Sequence, residues 1–410
     1  MPGSADAGGR RVLIVSGGLE AVPGIARVKA LDLWVAVADG NPAAPGMALA
    51  DERVVVSTYD APAMVAAARR LRARGGLDGV LSIAADVPVT VATVAQALDL
   101  PGIPLAAARA SADKLAMKDL LAAAGVPVPW YAPLAGPAEL ARLARERGLV
   151  VVKPVDSRGA RGVVRVTPEV DATFAFERAR SASPTGRVMV EEFLEGPQLS
   201  SESVIQGGRA VTLGCSDRNY ARLFELAPFM IEDGGLQPSV HLADVLPGVD
   251  ALAARCAAAL GMETGTLKGD LVLHPARGLC VIEVALRLSG GWFATDQIPW
   301  STGVDLVQVA ARLALGERIP EAELRPRRFA PVAVRYFFPP PGQLRAVHGF
   351  ESVAAEPWCL RAVLLARPGD VLSAPTDHTG RAGLVLATGE TGAEAVAHAE
   401  EAVRRVRFEV

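Results

Sequence analysis

The chain has 410 residues, of which 50% are hydrophobic and 21% are charged, a composition typical of a globular protein with roughly two to four domains. Lysine and arginine number 42 against 45 acidic residues, and the net charge of −3 gives no electrostatic footprint for nucleic acid. No apolar run reaches the ~18 residues of a membrane span, and residues 1–11 lack the apolar core of a signal peptide. We therefore expect a soluble, cytoplasmic protein, and an enzyme before other classes.

Cysteines and histidines form no pattern of metal ligands. The four cysteines lie far apart without a CxxC pair, which argues against a zinc ribbon or a disulfide framework and fits a reducing compartment. The histidines are equally scattered, at His241, His274, His348, His378 and His398.

Short apolar strands alternate with helices over the first hundred residues. Strands are predicted at 12–15, 33–38, 54–56 and 79–83, and helices at 61–74 and about 87–98. Such alternation indicates a mostly parallel sheet, whose ligands bind beyond the carboxyl ends of the strands. A dinucleotide site is one alternative, since Asp39 lies 21 residues after Gly18. The loop 16–24 is not GxGxxG, however, and a simple glycine turn is the favoured interpretation.

The segment 111–125 is a well-marked helix that Ser111 can cap and Gly125 can end. Lys114 lies in its first turn, where the helix dipole favours anions over cations. A bound phosphate would remove this conflict. The alternative is a solvated lysine.

A second lysine precedes a glycine-rich loop. Residues 149–152 predict a strand that ends at Lys153, the loop Ser157–Gly162 follows, and residues 163–166 predict the next strand. No helix follows the loop, so it is not a Walker P-loop. A hairpin loop of this kind can fold over a triphosphate and offer backbone N–H groups, although an ordinary turn is the alternative.

Acidic residues follow two later strands. The strand 187–192 ends in Glu191 and Glu192 before a turn at Gly196 and Pro197, and Glu202 lies in the strand 199–205. The backbone at such a strand end can meet an adenine edge, and nearby acids can hold ribose hydroxyls. The alternative is a solvated acidic turn.

Asp270 and Glu283 lie within two apolar strands of one predicted hairpin. Acids rarely occur in such runs unless they are paired or bind metal. Two carboxylates on adjacent strands would suit a Mg²⁺ ion that bridges nucleotide phosphates. Ion pairing with Lys268 or Arg287 is the alternative.

In this order, these motifs resemble the ATP-grasp superfamily, most closely its amino-acid (carboxylate–amine) ligases and its biotin-carboxylase-like and purine-pathway members. The resemblance covers nearly the whole chain and implies an α/β (α+β) fold. It implies an N-terminal parallel α/β domain at 1–108, an ATP-grasp domain with a central antiparallel sheet at 109–320, a lid at about 130–190, and a C-terminal subdomain at 321–410. It also suggests a homodimer.

The resemblance implies that ATP lies between two lobes with one or two Mg²⁺ ions. Its phosphates would meet Lys114 and Lys153 under the loop that contains Ser157, Gly159 and Gly162. The adenine would meet Glu191 and the backbone of Glu192 and Leu194, and Glu202 would hold the ribose or the adenine amine. The implied magnesium ligands are Asp270 and Glu283.

Two positions depart from the pattern of the family. The first metal-binding acid is usually Glu, and here it is the shorter Asp270. Many members read Glu-x-Asn-x-Arg, whereas this chain has Glu283, Ala285 and Arg287 at those positions. Because Ala285 cannot coordinate, the metal site has one ligand fewer.

The implied reaction joins a carboxylate, expected to be an amino acid, to an amine through an acyl phosphate, with release of ADP and phosphate. Lys153 and Arg287 would be catalytic, because lysine and a guanidinium fork neutralise phosphate charge. Ser289, Gly290 and Gly291 would bind the substrate carboxylate together with Arg287. Arg218 is a further candidate for a substrate anion, with an ordinary loop arginine as the alternative.

Two other functions stay open at this point. One is an ATP-grasp enzyme that catalyses another reaction, such as a carboxylase or a carbamoyl-phosphate-type synthase. The other is a non-catalytic nucleotide-binding scaffold, which Ala285 alone supports. The substrates, the pathway and the number of metal ions are not encoded in a readable motif.

Overall fold

The computed structural model describes residues 9–410, so most of the segment that was inspected for a signal peptide lies outside the described residues. Among the described helices, none is long and apolar enough to cross a membrane. The mixed α/β fold class predicted from the sequence is confirmed.

The N-terminal part is a four-stranded parallel sheet in the order β3-β2-β1-β4 with helices on its faces. The strands β1, β2 and β4 are almost entirely buried, as is typical of parallel sheets, whereas the edge strand β3 exposes Arg53 and Val55. The strands are β1 (Arg11–Val15), β2 (Trp34–Asp39), β3 (Glu52–Val55) and β4 (Gly79–Leu81). The helices are α1 (Val22–Lys29), α2 (Ala61–Gly75) and α3 (Pro88–Ala97).

Two helices, α4 (Leu105–Ser111) and α5 (Lys114–Ala123), lead into the centre of the chain. The expected cap of α5 was wrong, because Ser111 ends α4 and its hydroxyl donates to the carbonyl of Ala108 at 3.0 Å. Asp113 caps α5 instead, and its carboxylate accepts from two backbone N–H groups of the first turn.

A small antiparallel sheet in the order β5-β8-β6-β7, with two helices against it, occupies the segment that was predicted to be the lid and is called the lid below. The hairpin of β6 and β7 pairs Val150 with Val166 and Val152 with Val164, as the glycine-loop prediction required. The elements are β5 (Tyr131–Leu134), α6 (Pro137–Arg147), β6 (Val150–Pro154), β7 (Val164–Val166), α7 (Ala172–Ser181) and β8 (Val188–Glu192).

The largest sheet has eight strands in the order β13-β12-β9-β10-β11-β14-β19-β17. Its strands are β9 (Gln198–Gln206), β10 (Arg209–Asn219), β11 (Gly234–Gln237), β12 (Thr264–His274), β13 (Gly278–Ala285), β14 (Val332–Phe337), β17 (Cys359–Leu364) and β19 (Gly383–Thr388). Short pairs join β15 (Gly342–Gln343) to β18 (Val371–Leu372) and β16 (Ala346–His348) to β20 (Arg407–Glu409). This sheet contains strands from before and after residue 320. The predicted boundary between the ATP-grasp domain and the C-terminal subdomain at that residue therefore stays a prediction.

Five helices cover the large sheet and its connections. The longest, α8, packs on β10, and α12 packs on β14 and β19. They are α8 (Leu242–Ala259), α9 (Ile298–Thr302), α10 (Leu306–Ala314), α11 (Phe350–Ala354) and α12 (Gly392–Arg405). A cavity remains between this sheet, the lid and the N-terminal part.

Candidate active site

One cavity of about 1020 Å³ brings together almost all of the site residues predicted from the sequence. These lining residues are Lys114, Lys153, Ser157, Gly159, Glu191, Glu192, Leu194, Arg218, Asp270, Glu283, Arg287, Ser289, Gly290 and Gly291. Gly162 and Glu202 do not line it.

Lys114 joins the start of α5 to both walls of the cavity. Its Nζ donates to the carbonyl of Ser157 at 2.6 Å and lies 3.3 Å from the Glu283 carboxylate. The side chain is almost buried, so little solvent screens these contacts. An anion in the cavity would meet this lysine beside the glycine loop.

The Glu191 carboxylate lies between two buried lysines, Lys153 and Lys118. Lys118 Nζ is 3.0 Å from Glu191 and donates to the carbonyl of Ile282 at 2.8 Å. Burial, together with the charge of Lys153, lowers the pKa of Lys118 to about 8 although Glu191 raises it. Burial favours neutral Glu191, but the two lysines hold its pKa below the usual value.

The expected adenine contacts lie where the lid meets the large sheet. Glu192 ends β8, forms a bidentate pair with Arg277 at 2.8 and 3.1 Å, and accepts from the N–H of Trp130 at 3.2 Å. Leu194 is buried in the following turn. These contacts fix the segment that connects the lid to the large sheet, and its residues line the cavity.

The glycine loop Ser157–Gly162 is held from both sides of the cavity. Arg158 donates to the carbonyl of Asp86 at 2.8 Å, and the N–H of His378 donates to the carbonyl of Gly159 at 3.1 Å. Gly162 has φ +73°, and a Cβ there would lie 2.7 Å from Ala182 on the far side of the loop. Gly162 therefore shapes the loop and does not line the cavity.

Asp270 and Glu283 lie directly opposite each other in the register of β12 and β13. Asp270 contacts Arg218 at 3.0 Å and also pairs with Lys268. Burial opposes its ionisation, yet these cations hold the pKa of Asp270 well below its usual range. The two acids share one cavity. The ion pair of Asp270 with Lys268, which the sequence had left open as the alternative, is present as well.

The donor set fits one magnesium ion. Two carboxylates on neighbouring strands are hard oxygen ligands, and Mg²⁺ commonly takes one or two carboxylates and completes its shell with phosphates and water. Within residues 9–410 the only ion pair at the Glu283 carboxylate is with Lys114, while Asp270 would have to release Lys268 or Arg218 from one oxygen. Among residues 9–410 no group of three or more His, Cys, Asp or Glu side chains is placed to hold a metal ion, so water and phosphate oxygens would have to complete the shell.

Arg287 and the Ser289–Gly291 segment lie at the end of the cavity that the N-terminal part closes. The Nε of Arg287 is 3.6 Å from the carboxylate of Asp86, and the N–H of Gly291 donates to Glu20 at 2.7 Å. Burial raises the pKa of Glu20, although Gly291 and two arginines oppose the rise. Glu20 was missed from the sequence because the loop 16–24 was interpreted as a turn.

Glu202 is completely buried beneath the cavity rather than exposed to a ribose. Its carboxylate accepts from the N–H of Ser289 at 3.2 Å and from the Ser289 hydroxyl. Burial raises its pKa to about 7, while Ser289 and Arg287 offset part of the effect. The arrangement supports a role in positioning the Ser289–Gly291 segment, and the expected ribose contact is not supported.

Arg218 faces the cavity from β10 but is committed to two carboxylates. It contacts Glu232 at 2.9 Å and Asp270 at 3.0 Å, and its guanidinium lies 5.4 Å from the ring of Tyr220. Arg381 continues the cluster, with a bond of 2.6 Å to the carbonyl of Glu232. Glu232 and Arg381 were missed because they come from connections without any local motif.

Comparison with known proteins agrees with this geometry. Residues 111–291 match the family described as ATP-grasp domain, and residues 335–410 match L-amino acid ligase C-terminal domain 2. The chain is 31% identical over 246 residues to a D-alanine–D-alanine ligase of Aromatoleum aromaticum. The alignment covers 59% of this chain and 71% of that protein. The chain belongs to the ATP-grasp ligase family, as predicted from its motifs, and the family uses ATP and Mg²⁺.

Two solved structures extend the likeness over the whole chain. An L-amino acid ligase from Bacillus licheniformis superposes with a TM-score of 0.83 at 21% identity, covering 98% of each chain. A biotin carboxylase from Campylobacter jejuni superposes with a TM-score of 0.71 at 18% identity, covering 98% of this chain and 92% of that chain. At these identities the likeness shows the fold.

Proposed function

We propose that this chain joins an amino-acid carboxylate to an amine through an acyl phosphate, with release of ADP and phosphate. The observation that carries the proposal is the single cavity that combines three cations with two carboxylates, namely Lys114, Lys153, Arg287, Asp270 and Glu283. The match of the C-terminal residues to an L-amino acid ligase domain supports the amino-acid substrate.

ATP would lie between the lid and the large sheet. Lys114 and Lys153 would contact its phosphates, and the backbone of Ser157 and Gly159 would cover them. The buried carboxylate of Glu191, which contacts both Lys118 and Lys153, would hold the Lys153 side chain in place. The backbone of Glu192 and Leu194 would meet the adenine. Each role uses a side chain or backbone group that lines or supports the cavity.

Magnesium would be held by Glu283 and Asp270, and when bound it would neutralise charge on the β- and γ-phosphates. Around that site, Lys268 and Arg218 already neutralise Asp270. Lys268 would be able to turn towards a phosphate if the carboxylate changes partner, whereas Arg218 would stay paired with Glu232. Positioning and charge neutralisation are the main contributions that phosphoryl transfer needs from a protein.

The acyl-transfer half of the reaction would take place beside Arg287. A carboxylate oxygen attacks the γ-phosphorus, and the bond to the ADP oxygen breaks. The guanidinium of Arg287 would then stabilise the acyl phosphate and the tetrahedral oxyanion, and the backbone of Ser289, Gly290 and Gly291 would hold the substrate. Glu20, which contacts the Gly291 N–H and faces the cavity, would bind the ammonium group of an amino acid.

A panel of amino acids in pairwise combinations tests the proposal. ADP and phosphate should appear together only when a suitable carboxylate is present, and the product mass should equal the two substrates minus water. Arg287→Met should lower this turnover by at least tenfold, while Arg345→Met, outside the cavity, should not. A product that contains added carbonate would favour the carboxylase alternative, and ATP binding without any turnover would favour a scaffold.

A further inference from the structure

The connection between β17 and β19 is far longer than their pairing requires. These strands are antiparallel neighbours, with Leu364 opposite Gly383, and such strands can be joined by two residues. The connection 365–382 instead exceeds the roughly 12–15 residues beyond which loops are commonly functional. Much of it lines the cavity, including Leu365, Thr376, His378 and Arg381. This wall lies opposite the N-terminal part.

His378 lies in this connection against the glycine loop. Its backbone N–H donates to Gly159, which brings the residue beside the cover of the phosphate site. His378 lines the cavity and is only partly exposed, and its Nε2 has almost no accessible surface and no hydrogen-bond partner within residues 9–410. Leaving a buried polar atom unpaired costs ~1–3 kcal/mol. A histidine retained in this state fits a group that meets its partner only when substrates are bound.

The surroundings keep this imidazole uncharged. Burial lowers the pKa of His378 well below its usual value, the charges of Arg381, Arg218 and Lys268 lower it further, and Asp270 opposes them. A phosphate or acyl phosphate in the cavity would add negative charge and raise the proton affinity of the ring. The histidine is therefore a free base before the reaction and a better proton acceptor when the substrates are bound.

The carboxylates that line the cavity are already engaged. Within the described part of the chain, each accepts from a backbone N–H or lies beside a cationic side chain. They are Glu20, Asp86, Glu191, Glu192, Glu232, Asp270, Glu283 and Asp370. An amine substrate arrives as an ammonium ion at neutral pH and needs a proton acceptor before it can attack.

We propose that His378 accepts the proton that the attacking ammonium group loses, an assignment that rests on the ligase function proposed above. The proton moves to the imidazole, and the freed amine attacks the acyl carbon. The new C–N bond forms, the C–O bond to phosphate breaks, and the second amine proton leaves with the phosphate as HPO₄²⁻. The imidazolium then returns its proton to solvent.

The test compares two nucleophiles in the full-length protein. Hydroxylamine is largely uncharged at neutral pH and traps an acyl phosphate as a hydroxamate without a base, whereas an amino-acid amine must first lose a proton. His378→Gln should reduce kcat for amide formation by roughly 10²-fold or more. The fold-reduction in kcat for hydroxamate formation should be at least tenfold smaller than the fold-reduction for amide formation. The reduction for amide formation should also become smaller as the pH rises towards the pKa of the amine.

His348→Gln is the matched control, since His348 is exposed and does not line the cavity. Equal losses with both nucleophiles, or an amide defect that does not change with pH, would overturn the role of His378. Wild-type rates of amide formation in His378→Gln would overturn it as well. If the wild-type protein forms no hydroxamate with any carboxylate, the ligase function itself fails, and this outcome is distinct from the others.

Discussion

Replacing Glu202 by glutamine should change how the stability of the protein depends on pH. The native carboxyl has a pKa of about 7 against an ordinary value of 4.5, because it is fully buried. Between these values the native state holds a proton that the unfolded chain releases, so the free energy of unfolding falls as the pH rises. The loss between pH 5 and pH 8 amounts to about 2–3 kcal/mol. Glu202→Gln removes the titrating group and therefore this loss.

Urea unfolding of wild type and Glu202→Gln at pH 5 and pH 8 measures the effect. The free energy of unfolding of the variant, relative to wild type, should be about 2–3 kcal/mol higher at pH 8 than at pH 5. Glu351→Gln is the control, since Glu351 is exposed and its carboxyl stays in water in both states. If the free energies of unfolding of Glu202→Gln and wild type differ by the same amount at both pH values, the conclusion that Glu202 is protonated in the native state at neutral pH is refuted.

The remaining predictions concern nucleotide, metal and lid. Lys153→Ala should weaken ATP binding more than tenfold in calorimetry, because one charge-assisted contact contributes ~1.5–3 kcal/mol, and unchanged affinity would exclude Lys153 from the site. Glu283→Gln should nearly abolish turnover with an unaltered circular dichroism spectrum, and full activity would exclude it as a metal ligand. Ala285→Asn should shift the Mg²⁺ dependence of the rate more than the melting temperature. Hydrogen exchange of residues 157–162 should slow with an ATP analogue and Mg²⁺, and an unchanged rate would contradict a closing lid.

The predicted site residues that the structure brings into one cavity share a local signal. Lys114 starts a helix, Lys153 ends an apolar strand, and Asp270 and Glu283 interrupt apolar strands. In each case the charge conflicts with its immediate surroundings, and this conflict can be seen in a single stretch of sequence. The same reasoning predicted the hairpin around the glycine loop and the parallel N-terminal sheet.

The residues that were missed depend on contacts between distant segments. Lys118 looks like an ordinary helix lysine until Glu191 and Ile282 enclose it. Glu20 lines the cavity and accepts a hydrogen bond from the N–H of Gly291, which is distant in sequence. His378 has no neighbour in sequence that marks it. Such placements follow from the packing of the N-terminal part, the lid and the large sheet, which periodicity does not encode.

The origin of the oxygen atoms in the released phosphate tests the acyl phosphate most directly. The protein is incubated with ATP, Mg²⁺, an amine and an amino acid whose carboxylate carries ¹⁸O, and the phosphate is analysed by mass spectrometry. Attack of the carboxylate on the γ-phosphorus predicts that one labelled oxygen atom passes into inorganic phosphate for each amide formed. Phosphate without the label, or label found in AMP, would contradict the proposed reaction.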